Sequence, residues 1–151
     1  MSTLTPMPDG NWFENVEKRP HPWPGLEWLT TALVFDDVAA AVEFYGSTLG
    51  FVPIAVLPFA DREGTMFARL RYRGINFTLN SREFEPTLAP PAEAAPSSMF
   101  YVYVDDVPAA TAAMREAGAS VLEEPTEQFW GDLRARVRDP FGYIWDLARP
   151  I

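Results

Sequence analysis

At 151 residues the chain is long enough for one domain with a buried core, and with 48% hydrophobic and 14% aromatic residues it is too apolar for a disordered segment. Its net charge of −9 opposes nucleic-acid phosphates, and the absence of cysteine removes disulfides, thiolate nucleophiles and thiolate-bound zinc. No apolar run approaches the ~20 residues of a membrane helix, and no basic-then-apolar export signal opens the chain, so no membrane partner and a cytoplasmic location are expected.

Residues 1–27 hold Pro6, Pro8, Pro20, Pro22 and Pro24 with Trp12, Phe13 and Trp23, and show no periodicity. They read either as a flexible leader or as an arm packed on the body or on a partner subunit, and the large aromatics favour the arm. Residues 28–80 form a first module. Leu29–Phe35 reads as a strand, Asp37 as a helix N-cap, and Val38, Ala41, Val42, Tyr45 and Leu49 as one helical face closed by Gly50. Phe51–Pro58, Thr65–Arg71 and Ile75–Asn80 read as strands, with Arg62-Glu63-Gly64 and Arg73-Gly74 as turns.

Residues 81–98, with Pro86, Pro90, Pro91 and Pro96, form a proline-stiffened linker, and 99–151 a second module. There, strand Met99–Val104 leads through Asp106 into a helix over Val107–Ala117 with Pro108 in its first turn. A short strand Ala119–Leu122, a loop around Pro125, and strands Leu133–Arg138 and Tyr143–Ala148 complete it. Arg134, Arg136 and Arg138 alternate along one strand face, as in a solvated or ion-paired surface.

The two modules repeat one another. Leu33-Val34-Phe35-Asp36-Asp37-Val38 matches Val102-Tyr103-Val104-Asp105-Asp106-Val107 at a spacing of about 69 residues, and Gly74 aligns with Gly142. The predicted fold is therefore α+β, as two tandem βαβββ units in one compact domain.

Two such modules, and above all Asp139-Pro140-Phe141-Gly142-Tyr143-Ile144-Trp145 preceded by Phe129-Trp130-Gly131-Asp132, resemble the vicinal oxygen chelate superfamily over about residues 28–149. That superfamily includes glyoxalase I, extradiol dioxygenases and the bleomycin-resistance binding proteins, and the closing strand pair is most similar to its glyoxalase/bleomycin-resistance branch. The resemblance implies a U-shaped, mostly antiparallel sheet around a cleft, with helices on the convex side. Strand alternation then turns Thr30, Ala32, Val34, Asn76, Thr78, Asn80, Met99, Tyr101, Tyr103, Ile144 and Asp146 toward the cleft. Leu29, Thr31, Leu33, Phe35, Ile75, Phe77, Leu79, Phe100, Val102, Tyr143, Trp145 and Leu147 pack beneath the helices.

Metalloenzymes of the superfamily carry His and Glu ligands at four strand positions. By the Asp and Gly landmarks these positions hold Thr30, Thr78, Met99 and Asp146 here, and the only histidine, His21, lies in the arm. One carboxylate, two hydroxyls and a thioether are poor ligands for a divalent transition ion, so neither metal nor other cofactor is expected.

The resemblance then implies a metal-independent homodimer that sequesters an aromatic or cationic compound such as an antibiotic. Its ligand-binding candidates are Asn76, Thr78, Asn80, Met99, Tyr101, Tyr103, Trp130 and Asp146. Two alternatives use the same cleft. One is a metal-free isomerase or cyclase with Asp146 as general base and Tyr101 or Tyr103 as proton donor. The other is a metal-dependent lyase or dioxygenase with displaced ligands among Glu27, Glu63 and Glu127.

Overall fold

The computed structural model describes residues 29–91 and 96–151, so the arm with His21, Glu27 and the middle of the linker lie outside the described residues. The first module runs β1 (Thr31–Phe35), α1 (Val38–Leu49), β2 (Val52–Pro58), β3 (Thr65–Tyr72) and β4 (Ile75–Ser81). The second runs β5 (Phe100–Tyr103), α2 (Val107–Glu116), β6 (Ser120–Glu127), β7 (Asp132–Arg138) and β8 (Ile144–Pro150). The fold is α+β, built from two tandem βαβββ modules.

Each module folds into its own four-stranded sheet, ordered β1-β4-β3-β2 and β5-β8-β7-β6. Strands β1 and β4, and likewise β5 and β8, run parallel, while the other neighbours are antiparallel hairpins. Among the described residues no ladder joins the two sheets.

Both helices start where an aspartate follows a strand. The side chain of Asp37 accepts from the Ala40 N–H at 3.0 Å, and that of Asp106 from the Ala109 N–H at 2.9 Å. Helix α1 ends at Gly50, whose φ of +75° is the left-handed conformation glycine adopts without strain. The buried face of α1 (Val38, Ala41, Phe44, Tyr45, Leu49) and that of α2 (Val107, Thr111, Met114) contribute to one continuous core with Leu33, Phe35, Leu70, Phe77, Leu79, Val102, Val137, Trp145 and Leu147.

The modules are locked together inside this core by aromatic and polar contacts. The Tyr45 ring lies 5.3 Å from that of Trp145, and Phe35 lies 5.3 Å from Tyr143. The Tyr143 hydroxyl donates to the Val34 carbonyl at 2.8 Å and accepts the Val34 N–H at 2.9 Å. Asp139 forms the β7–β8 turn by accepting from the Phe141 and Tyr143 N–H groups, each at 2.9 Å. Its other oxygen accepts from Trp145 Nε1 at 2.9 Å and from the Tyr45 hydroxyl of α1. Burial pushes the Asp139 carboxyl above its ordinary range against the pull of these four donors, and pushes the Tyr45 phenol well up.

Four local expectations change, one of them at Thr31, which is exposed rather than packed beneath a helix. Strand β6 does not stop at Leu122 but continues through Pro125 to Glu127. Proline is tolerated because β6 is an edge strand, and the ladder to β7 shifts register between Glu123 and Thr126, where no N–H is called on. Ile75 and Leu29 do not pack under a helix: they are 66% and 85% exposed. Ile75 sits at the hairpin end opposite Tyr72, and Leu29 precedes the first residue of β1.

Candidate functional site

The register of the second sheet decides what Asp146 can do. Asp146 lies between Tyr101 of β5 and Arg136 of β7, and it is fully buried. Arg136 holds it with two bonds, Nε to Oδ1 at 2.7 Å and Nη2 to Oδ2 at 2.9 Å. Arg134 Nη1 adds a third to Oδ2 at 3.2 Å, and the same guanidinium bonds Glu123 of β6. The Asp146 contact is the main cause of a raised Arg136 pKa. With both oxygens committed to guanidinium groups, the carboxylate has no vacant face for a ligand amine.

Asp132 gathers the aromatic candidates. Buried at the start of β7, it accepts from Tyr101 at 2.6 Å, Tyr103 at 2.9 Å and Trp130 Nε1 at 3.3 Å, and Trp130 Nε1 also reaches the Tyr101 hydroxyl at 3.1 Å. The hydrogen bond from Tyr101, followed by those from Tyr103 and Trp130, holds the Asp132 carboxyl below its usual range despite burial. Burial, then the Asp132 bond, pushes Tyr101 up to about 12, and the Asp132 bond raises Tyr103. Both phenols are therefore neutral donors across the physiological range. Tyr103 and Trp130 remain 48% and 47% exposed, with the Arg134 guanidinium 5.7 Å over the Trp130 ring.

The first-module candidates are all buried. Asn80 Nδ2 donates to the Leu33 carbonyl at 3.1 Å and to Thr78 Oγ1 at 3.0 Å, which ties β4 to β1. Asn76 and Tyr101 share a mostly apolar cavity of 150 Å³ bordered by Tyr72, Phe77, Phe100 and Trp145. Met99 precedes β5 and lines a different cavity, with Arg136 and Arg138. The structure thus brings Tyr101, Tyr103 and Trp130 together, joins Asn76 to Tyr101 through a cavity, and sets Met99 apart from them.

Sequence reasoning gives Asp132 and Glu123 no role and reads the arginines as a solvated or ion-paired face without naming their partners, which are Glu123 and Asp146 for Arg134 and Asp146 for Arg136. The signal was present: counting outward from the Asp139–Gly142 turn places Arg138 opposite Ile144 and Arg136 opposite Asp146. The same hairpin in the first module places Arg71 opposite Asn76 and Arg69 opposite Thr78.

The four positions that correspond to metal ligands do not fit a divalent ion. Thr78 Oγ1 accepts from Asn80, Met99 offers a soft thioether, Thr30 offers a neutral hydroxyl, and Asp146 is neutralised by arginine. Among the described residues no group of three or more His, Cys, Asp or Glu side chains is placed to hold a metal ion, and Glu63 and Glu127 are exposed. No helix among the described residues is long and apolar enough to cross a membrane.

Paired βαβββ modules, each presenting a polar sheet face opposite its helix, define a class shared by enzymes and small-molecule binders. The family model for the Glyoxalase/Bleomycin resistance protein/Dioxygenase superfamily matches residues 27–147, and the chain belongs to that superfamily. It is 32% identical over 129 residues to an uncharacterized Mycobacterium tuberculosis protein, Rv0887c, covering 82% of this chain and 74% of that one. Among solved structures it is similar to a gene product from Arabidopsis thaliana, at a TM-score of 0.69 and 24% identity over 82% of this chain and 99% of that one. It is also similar to TnmS3, an antibiotic-binding protein from a Streptomyces species, at a TM-score of 0.56 and 27% identity over 81% of this chain and 93% of that one.

Proposed function

We propose that the protein binds an aromatic small molecule against the polar faces of its sheets, without a metal ion and without converting it. The observation that carries this reading is the division of labour between two aspartates. Asp146, at the position that corresponds to a metal ligand, is buried under Arg134 and Arg136. Asp132 instead fixes Tyr101, Tyr103 and Trp130 as a rigid aromatic platform. Immobilised rings lose little entropy when a planar guest stacks on them. The likeness to an antibiotic-binding protein, TnmS3, supports the same reading.

The arrangement gives little support to a cationic guest at Asp146, whose charge is spent on arginine, or to acid–base catalysis. Asp132 is a weakened base, and Tyr101 at about 12 is a poor acid. The working unit of this proposal is a homodimer in the cytoplasm. Native mass spectrometry of freshly purified protein tests occupancy and dimer mass together. The bound compound is then incubated with the protein and followed by mass. Unchanged recovery is the expected result, and conversion that stops in Asp146→Asn would replace binding with catalysis.

A further inference from the structure

Among the described residues, the arginine row of β7 leaves one cation without an ion pair. Arg134 and Arg136 are paired with Glu123 and Asp146, two cations against two carboxylates. Arg138, two residues on, has no ion pair among the described residues, and its Nη1 is buried without a hydrogen-bond partner. A buried guanidinium N–H without an acceptor is costly, so this group calls for an acceptor that the described residues do not supply. Arg138 faces the 260 Å³ cavity already noted beside Met99. Ser97 and Ser98 line one part of that cavity with hydroxyl groups, Pro96, Met99, Leu122 and Ile144 line another with apolar surface, and Arg136, already paired with Asp146, also borders it.

We propose that this cavity binds the carboxylate group of a small organic acid, with Arg138 as its anchor and Met99, Leu122 and Ile144 against its apolar body. A carboxylate matches one unpaired positive charge and the planar, two-donor edge of a guanidinium. A phosphate dianion would leave the site with excess negative charge. The volume falls just under the roughly 300 Å³ at which drug-sized pockets begin, which suits a compact acid or the acid end of a larger aromatic molecule. The chain's net charge of −9 repels free anions, so any preference for an acid must come from a local site. This inference rests on the small-molecule reading above and adds the charge class of the ligand.

Calorimetric titration of the full chain with 4-phenylbutanoate and with its neutral isostere 4-phenylbutanamide tests it, with inorganic phosphate as a separate arm. The acid is expected to bind at least tenfold more tightly than the amide and than phosphate. Arg138→Gln should erase that preference, and Arg138→Lys, which keeps the charge but loses the fork, should retain part of it. Arg149→Gln makes the same change in net charge at an exposed position and should leave the preference intact. Circular dichroism and the unliganded melting temperature establish that the variants are folded. Equal binding of acid and amide, no binding of either, tighter binding of phosphate, or a preference that survives in Arg138→Gln would each overturn the proposal. The small-molecule reading fails separately, when the freshly purified protein carries no guest or converts the one it carries.

Discussion

Replacing Asp146 with Asn keeps the shape of the side chain and removes its charge, and so isolates what the carboxylate contributes. Removing one partner of a buried ion pair costs ~3–5 kcal/mol, because the remaining charge is stranded away from water. Here the stranding is partial. The Arg134 side chain is 10% exposed but keeps Glu123, the Arg136 side chain is 35% exposed and can turn toward solvent, and Asn still offers one acceptor. The expected loss is therefore at the low end, about 3 kcal/mol. At ~2–4 °C per kcal/mol for a domain of this size, the melting temperature should fall by about 6–12 °C. Urea unfolding of both proteins measures the difference directly, through a shift in midpoint at constant slope. A loss below about 1 kcal/mol, the range of exposed surface pairs, would show that the carboxylate is not held in a desolvated ion pair. Unchanged stability together with lost turnover would make Asp146 a general base.

Tyr143→Phe should cost about 1–3 kcal/mol in the same assay, because it strands the N–H and C=O of Val34, a residue that is 2% exposed. Gly142→Ala should destabilise by roughly 1–3 kcal/mol, since Gly142 has φ of +99° and a Cβ there would lie 2.8 Å from the Pro91 carbonyl oxygen. Asp132→Asn should bring the Tyr101 pKa down from about 12, read as tyrosinate absorbance on alkaline titration. The Asp132 carboxyl is depressed in the folded state, so its contribution is present above the unfolded pKa and lost as pH falls through the folded one. Asp132→Asn should accordingly flatten the acid limb of the stability profile, and an unaltered limb would contradict the hydrogen-bond assignment.

The duplication made the fold legible: strand, capping aspartate, helix and glycine recur in order, and local rules set each of them. The Asp139 turn was readable for the same reason, because its bonds to Phe141 and Tyr143 lie within a few residues. Its reach to Tyr45 was not, since nothing local in the sequence indicates which distant helix will pack on the turn. The loop expected around Pro125 gives way to strand, because an edge strand with a register shift has no use for the donor that proline lacks. Face alternation puts Tyr101, Tyr103 and Asp146 on one face of the second sheet, and the register sets Tyr101 opposite Asp146. What it missed was pairing across the ladder, which converts Asp146 from a free carboxylate into an arginine anchor and leaves Arg138 without an ion pair among the described residues.

The account stands or falls on whether a guest is held by this chain's own side chains. The most direct measurement is the intact mass of the natively purified protein before and after exhaustive treatment with a chelator. The account predicts that the small organic molecule stays attached and that no metal ion contributes to the mass. A guest that leaves together with an ion, and returns only when a divalent cation is restored, would contradict it.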